Sequence, residues 1–559
     1  MSVRVMHAQD TFAQSQADKQ TMAAFLLGAL AAAGTALAEQ NPVISLHNGP
    51  VRGTVSDKVA GVNVFKGIRF ADAATGEYRW QHPPHPTSWN TTFDAFEYGN
   101  ECAQLSNNGT IIGSEDCLFL NIWTPEDFSN TTNYPVYLWS YGGRFSGGSG
   151  SDPAYDGSAL AAKGVVVVTY NYRLGVLGGL AHPELTAESD GNSTGNWFLQ
   201  DQIACLHWTN ENIQQFGGNA SQITLGGQSA GSGIALAMVY SPLAAGLFQG
   251  AIAESGARAP HDPLTGSLAT SHRNKTEAEA QGISYLAALN VSSIEEARQL
   301  PLATLLAASP QSDTIFVGTP FENNSAYMEP PVFRPVIDGY VLVDTYAGTL
   351  ASHSQNDVPI LTGNNRDESG ASPDPRTLAL STYNSTNTAI FEPLGLADTY
   401  FELFPASTDA EAGAQTNNFY RNQSLVSSWS WASAWAAGGG NSSVYTYFWT
   451  HAPPGQSAGA FHGSEINYAF GNIPWAPTLQ GTYLNWTAQD YAVQEKISQY
   501  WYNFIATGNP NGGNLTKWVA SNSASKTTMV IGDSYGTISI GSDEVVELIT
   551  DYFSQEIAW

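Results

Sequence analysis

The pentapeptide Gly227-Gln228-Ser229-Ala230-Gly231 sets a hydroxyl between two glycines. Around it, residues 223–240 read ITLGGQSAGSGIALAMVY: a short apolar run, a Gly-rich turn, then an Ala-rich stretch. That pattern predicts strand, sharp bend and helix. A serine at such a bend lifts its Oγ clear of a sheet only in a strained backbone conformation. Side chains two residues before and after it would then collide with the neighbouring strand and helix. The following helix turns its positive end toward negative charge developing at the serine. The chemistry implied is nucleophilic attack on a carbonyl. A serine hydroxyl needs a base for this, and the base needs a group to orient it. Eleven histidines are available. Alone, the pentapeptide also fits an ordinary Gly-rich connection; the strand–turn–helix setting singles it out.

Continuous apolar runs at 136–139, 165–169, 223–225, 360–362 and 444–449 read as strands covered on both faces, as a parallel sheet between helical layers requires. Between the second and third lies a helical stripe of Leu199, Ile203, Leu206 and Ile213, expected to close at Gly217-Gly218. Strand–helix–strand alternation argues for a parallel α/β sheet. Residues 260–440 carry weaker strand signals and are expected to be mainly insertions walling the site. No linker, repeat or low-complexity tract divides the chain, so residues 39–559 read as one domain.

Further segments carry a family likeness: FKGIRFA at 65–71, SEDCLFLNIW at 114–123, NYRLG at 171–175 and FGGNASQITLGGQSAG at 216–231. PVIDG at 335–339, GNNRDES at 363–369, FHGSEINYAFG at 461–471 and GNPN at 508–511 follow in order. With these the chain resembles the type-B carboxylesterase/lipase family, the cholinesterase-like branch of the α/β hydrolases, and its secreted fungal-type esterases in particular. The resemblance implies an α/β-hydrolase fold: a mostly parallel central sheet covered by helices on both faces, with large insertions walling the active site. It also implies a serine carboxylic-ester hydrolase. His462, in HGSEINYAF, takes the place of the family's base. Glu368, in GNNRDES, takes the place of its acid, with Asp367 the rival carboxylate. The order Ser229, Glu368, His462 is the one expected of this fold.

For the oxyanion, the resemblance implies amide donors from Gly143, Arg144 and Ala230. The family usually has three consecutive glycines where this chain has Gly142-Gly143-Arg144. Arg144 therefore departs from the pattern. Its amide can still donate, and its side chain can either turn away to a structural carboxylate or project into the cleft and favour an acidic substrate. Gln228 stands where cholinesterases carry a carboxylate, and no aromatic residue lies between Cys102 and Cys117, so a choline site built on tryptophan is unsupported there. The same stretch is short and mostly polar, which disfavours a lipase lid. A soluble, small-molecule ester is the expected substrate, with no cofactor and no metal.

Apolar residues make up 42% of the chain and charged residues 13%, ample for a large core. The net charge of −28 repels a phosphate backbone and argues against a nucleic-acid partner. Lys19, an apolar Ala-rich stretch from Met22 to about Gly34, and Ala36-Leu37-Ala38 form the three parts of a secretory leader over residues 1–38, with Met22 an alternative start. That stretch is too short for a stable membrane anchor. Sequons begin at Asn90, Asn108, Asn130, Asn192, Asn219, Asn274, Asn290, Asn323, Asn384, Asn422, Asn441, Asn485 and Asn514, which fits a glycoprotein. Three cysteines leave one unpaired: Cys102 and Cys117 can close a short loop, and Cys205 reads as a buried thiol. Two other functions share these motifs. An acyl transferase would use the same three residues, and a non-catalytic adhesion relative would not need them.

Overall fold

The apolar runs pair into one eleven-stranded sheet. In chain order its strands are β1 (Thr54–Val55), β2 (Val62–Arg69), β3 (Phe119–Pro125), β4 (Tyr134–Ser140), β5 (Val166–Tyr170), β6 (Gly218–Gln228), β7 (Gly250–Glu254), β8 (Ile360–Asn365), β9 (Val444–Trp449), β10 (Thr527–Ile531) and β11 (Gly536–Ser539). In space they run β11-β10-β9-β8-β7-β6-β4-β5-β3-β2-β1. Every neighbouring pair from β10 to β5 is parallel, and the strands outside these pair antiparallel. The computed structural model describes residues 41–268, 271–322, 324–478 and 481–556. The expected leader and the sequon at Asn323 lie outside the described residues.

All five expected strands are present, and the parallel ones are buried along most of their length, as continuous apolar sequence requires. Helix α1 (Trp197–Asn212) buries Leu199 and Leu206 and leaves Ile203 half-buried. Its other side is also covered, because Asp201 is paired with Arg173 of the NYRLG segment at 2.7 Å. The α-helix stops at Asn212 and one tighter turn, Ile213–Phe216, follows. Gly217 then reverses the chain at φ 80°, a left-handed conformation that favours glycine, and Gly218 already belongs to β6.

Helix α2 (Ala230–Tyr240) is buried at every residue and packs on β6 and β7. Between residues 260 and 440, short helices and the long α3 (Asp409–Ala437) gather a second apolar cluster that includes Phe316, Phe321, Tyr383, Phe391, Tyr400 and Phe419. The final helix, α5 (Asp543–Phe553), closes this cluster with Tyr552 and Phe553, after α4 (Ala488–Thr507) has packed across β4 and β6.

Candidate active site

Strand β6 ends at Gln228 and α2 begins at Ala230, which leaves Ser229 alone at the bend with φ 57° and ψ −123°. Such a conformation costs about 1–3 kcal/mol and persists only where the surroundings over-determine it. Here they do. Ser229 N–H donates to Glu254 O (2.9 Å), while Ser229 O accepts from Gly233 N–H (3.0 Å) and Ser232 Oγ (2.6 Å). The flanking glycines are required by contact. A Cβ on Gly227 would lie 2.2 Å from Gly231 O, and one on Gly231 would lie 2.0 Å from Ser140 O. The bend is thus wedged between its own helix and the end of β4.

Glu368 follows β8, and its Oε2 accepts a 2.5 Å hydrogen bond from His462 Nδ1. Its Oε1 accepts from Asn365 N–H (2.7 Å) and Ser255 Oγ (3.1 Å), with Arg258 Nη2 4.0 Å away. The Glu368 side chain is 3% exposed and the His462 ring 46%, so the imidazole is reachable from solvent and the carboxylate is not. Burial opposes ionisation of Glu368, yet the His462 bond, the charges of His462 and Arg258 and the Asn365 amide hold it below its ordinary range. Burial likewise opposes charge on His462, and the bond to Glu368 with its charge outweighs this and raises the imidazole above its ordinary 6.5.

The other ring nitrogen points to the elbow. His462 Nε2 lies 3.0 Å from Gln228 Nε2. With the proton on Nδ1, Nε2 is the acceptor and the Gln228 amide donates. The structure therefore brings Glu368 to His462, and His462 to the neighbour of Ser229. Ser229 Oγ has no hydrogen-bond partner among the described residues, and Gln228, not Ser229, occupies His462 Nε2. Gln228→Glu replaces this neutral donor with a carboxylate and should stabilise the imidazolium further. Because a base works only when neutral, the acid limb of kcat/KM is expected above pH 6.5 in the natural protein and further alkaline in Gln228→Glu. A pH–rate profile with an unmoved limb in the variant would show that Gln228 does not act on the ring.

Asp367, the rival acid, faces elsewhere: it accepts from Arg421 Nη2 (2.7 Å), Arg366 Nη2 (2.9 Å) and Ala460 N–H (2.8 Å). Two neighbours were present in the motifs without a role. Asn365 Nδ2 ties Phe461 O (2.7 Å) to Glu465 Oε2 (2.5 Å), joining the acid and base loops. Burial and the nearby Glu368 charge push the Glu465 carboxyl up to about 7, despite the opposing Asn365 bond. Ser255 and Arg258 reach Glu368 from the loop after β7, and no motif pointed to them.

The amides of Gly143, Arg144 and Ala230 donate to no acceptor among the described residues. Gly143 has φ 107° and a Cβ there would lie 2.1 Å from Gly147 O, while a Cβ on Gly142 would lie 3.1 Å from Ser229 Cβ. The loop therefore lies against the elbow. Arg144 Nη2 donates to Glu329 O (2.9 Å), a backbone carbonyl and not the structural carboxylate expected as one alternative.

Cys102 and Cys117 form a disulfide, and Cys205 is free and buried, its thiol pushed up by burial. No helix among the described residues is long and apolar enough to cross a membrane.

Comparison with known proteins agrees with this architecture. The family model described as "Carboxylesterase family" matches residues 40–542. The chain is 34% identical over 505 residues to a fumonisin B1 esterase of Sphingopyxis macrogoltabida, covering 88% of this chain and 87% of that one. It is 31% identical over 506 residues to a para-nitrobenzyl esterase of Bacillus subtilis (strain 168), covering 88% and 94%. A solved PNB esterase superposes with TM-score 0.70 at 29% identity, covering 91% of this chain and 100% of that one. The chain belongs to the carboxylesterase family, carries its α/β-hydrolase fold, and is a carboxylic-ester hydrolase.

Proposed function

We propose that the protein is a secreted serine esterase that cleaves a soluble ester through an acyl-enzyme on Ser229. The observation that carries this reading is the Glu368–His462 pair, whose other ring nitrogen is hydrogen-bonded at 3.0 Å to the side chain next to a strained serine. As substrate enters, Ser229 Oγ takes the place of the Gln228 amide at Nε2. The hydroxyl attacks the carbonyl carbon while His462 accepts its proton. Glu368 keeps the Nδ1 proton in place and stabilises the charged ring. The amides of Gly143, Arg144 and Ala230 receive the oxyanion. The intermediate collapses, the alcohol leaves with the proton from His462, and water attacks the acyl group by the same route in reverse.

Secretion is supported by the three-part leader and by a disulfide, which persists in oxidising compartments. Some of the sequons would then carry glycans. The functional test is a series of 4-nitrophenyl esters of increasing acyl length, followed from the first milliseconds. The expected result is a burst of nitrophenol stoichiometric with enzyme, then steady turnover, for at least the shorter acyl chains. Absence of nitrophenol release from every ester would sink the reading and favour a non-catalytic relative.

A further inference from the structure

Arg144 combines three features that an anchoring arginine does not need together. It is a non-glycine residue at φ 56°, in the left-handed region, on the loop that carries two candidate oxyanion donors. Its guanidinium makes one hydrogen bond, to Glu329 O, and no ion pair with any described residue. The Glu329 carboxylate accepts from Ile315 N–H at 3.0 Å and forms no ion pair with Arg144. Burial alone lowers the ionisation of Arg144, with no acidic neighbour compensating. None of its nitrogens is buried without a partner, so the N–H groups left over from Glu329 are open to solvent, on a loop whose Gly142 lies against the Ser229 elbow.

In a chain with 49 acidic residues against 21 Lys+Arg, most described arginines have a carboxylate partner; Arg144 lacks one, as does Arg376, which instead donates to both Gly370 O and Asn417 Oδ1. The contrast with Arg79, Arg173, Arg334 and Arg421 is direct, since each of those is paired within 2.8 Å. Arg presents a planar fork that matches a carboxylate. The strain at φ 56° is of the kind that clusters at ligand sites.

We infer that Arg144 is a carboxylate subsite: the ester this protein cleaves carries a free carboxylate a few bonds from the scissile carbonyl. The guanidinium holds that anion while the amide of the same residue faces the carbonyl oxygen. The substrate class is thus the half-ester of a dicarboxylic acid or a close analogue. This rests on the Ser229 esterase reading.

The experiment measures kcat/KM by pH-stat for monoethyl succinate, monoethyl glutarate and monoethyl adipate against ethyl butanoate. Natural protein, Arg144→Met and Arg144→Lys are compared. At least one half-ester should be preferred over ethyl butanoate by the natural protein. Arg144→Met should cut that preference about ten- to a hundredfold, as expected for loss of a charge-assisted hydrogen bond, and Arg144→Lys should restore part of it. A purely structural tie to Glu329 would lower both rates together and leave the ratio unchanged, which overturns the inference. Should Arg144→Met fail to fold, free glutarate decides: it should inhibit ethyl butanoate hydrolysis competitively in the natural protein and more weakly in Arg144→Lys, and equal or absent inhibition overturns the inference. No preference for any half-ester, with ethyl butanoate cleaved, also overturns it and leaves the esterase reading intact. Failure on every ester strikes the esterase reading instead.

Discussion

Ser229→Ala is expected to lower kcat by about 10⁵- to 10⁶-fold while leaving the protein folded, because under the proposed mechanism it removes the nucleophile and with it the covalent route. A residual rate above that of water should survive, since the amides of Gly143, Arg144 and Ala230 are main-chain groups that the substitution does not touch. Stability should change little. Ser229 Oγ has no hydrogen-bond partner among the described residues, so its removal orphans nothing. The backbone at φ 57° is held by Glu254 O, Gly233 N–H and Ser232 Oγ, none of which involves the Ser229 side chain. Thermal melts of the two proteins should therefore nearly coincide, and a variant that retained natural turnover would remove Ser229 from the mechanism.

Glu368→Gln should cost about 10⁴-fold in kcat, with little change in KM. The reason lies in which atoms face Glu368. Oε1 accepts from Asn365 N–H and Ser255 Oγ, and Oε2 accepts from His462 Nδ1. Every partner donates, so a carboxamide in this place must aim its NH₂ at a donor in either orientation. Aimed at His462, it drives the ring proton to Nε2 and leaves no lone pair for Ser229. Aimed at Asn365, it loses a buried hydrogen bond. The loss of the negative charge should also let the His462 ionisation fall, since the Glu368 bond and charge are what raise it against burial. The acid limb of whatever activity remains should move to lower pH, opposite to the shift expected for Gln228→Glu. A Gln variant with full activity and an unmoved limb would leave Glu368 a structural residue only.

Much of this site is legible in the sequence because its parts sit in short motifs with their own mechanical logic. The two glycines around Ser229 are readable because a Cβ at either position meets main chain, a constraint set by neighbours only a few residues along or one strand away. Strands β4, β5, β6, β8 and β9 are readable because sheet burial on both faces leaves an uninterrupted apolar run. Strand β7 is not. Its sequence, Gly-Ala-Ile-Ala-Glu, is short and small, and it ends in Glu254, a buried carboxyl that accepts from Trp501 Nε1 at 2.8 Å. Only tertiary packing makes that a central strand.

The contacts that sequence leaves hidden are those made across large separations by side chains with several choices of partner. Gln228 is separated from His462 by 234 positions, and nothing in a pentapeptide announces that its amide will take the ring nitrogen. Ser255 is 113 positions from Glu368. Arg144 meets a backbone carbonyl 185 positions away, and a main-chain partner leaves no trace in side-chain types.

The most direct measurement is active-site labelling with a fluorophosphonate ester, followed by intact-mass and peptide mapping. The phosphorus centre mimics the tetrahedral carbon and reports which oxygen attacks. One adduct per chain, on the peptide carrying Ser229, with turnover falling in step and with no adduct in Ser229→Ala, is the predicted result. An adduct on any other residue that abolishes turnover, or full loss of turnover with Ser229 unmodified, would contradict the account.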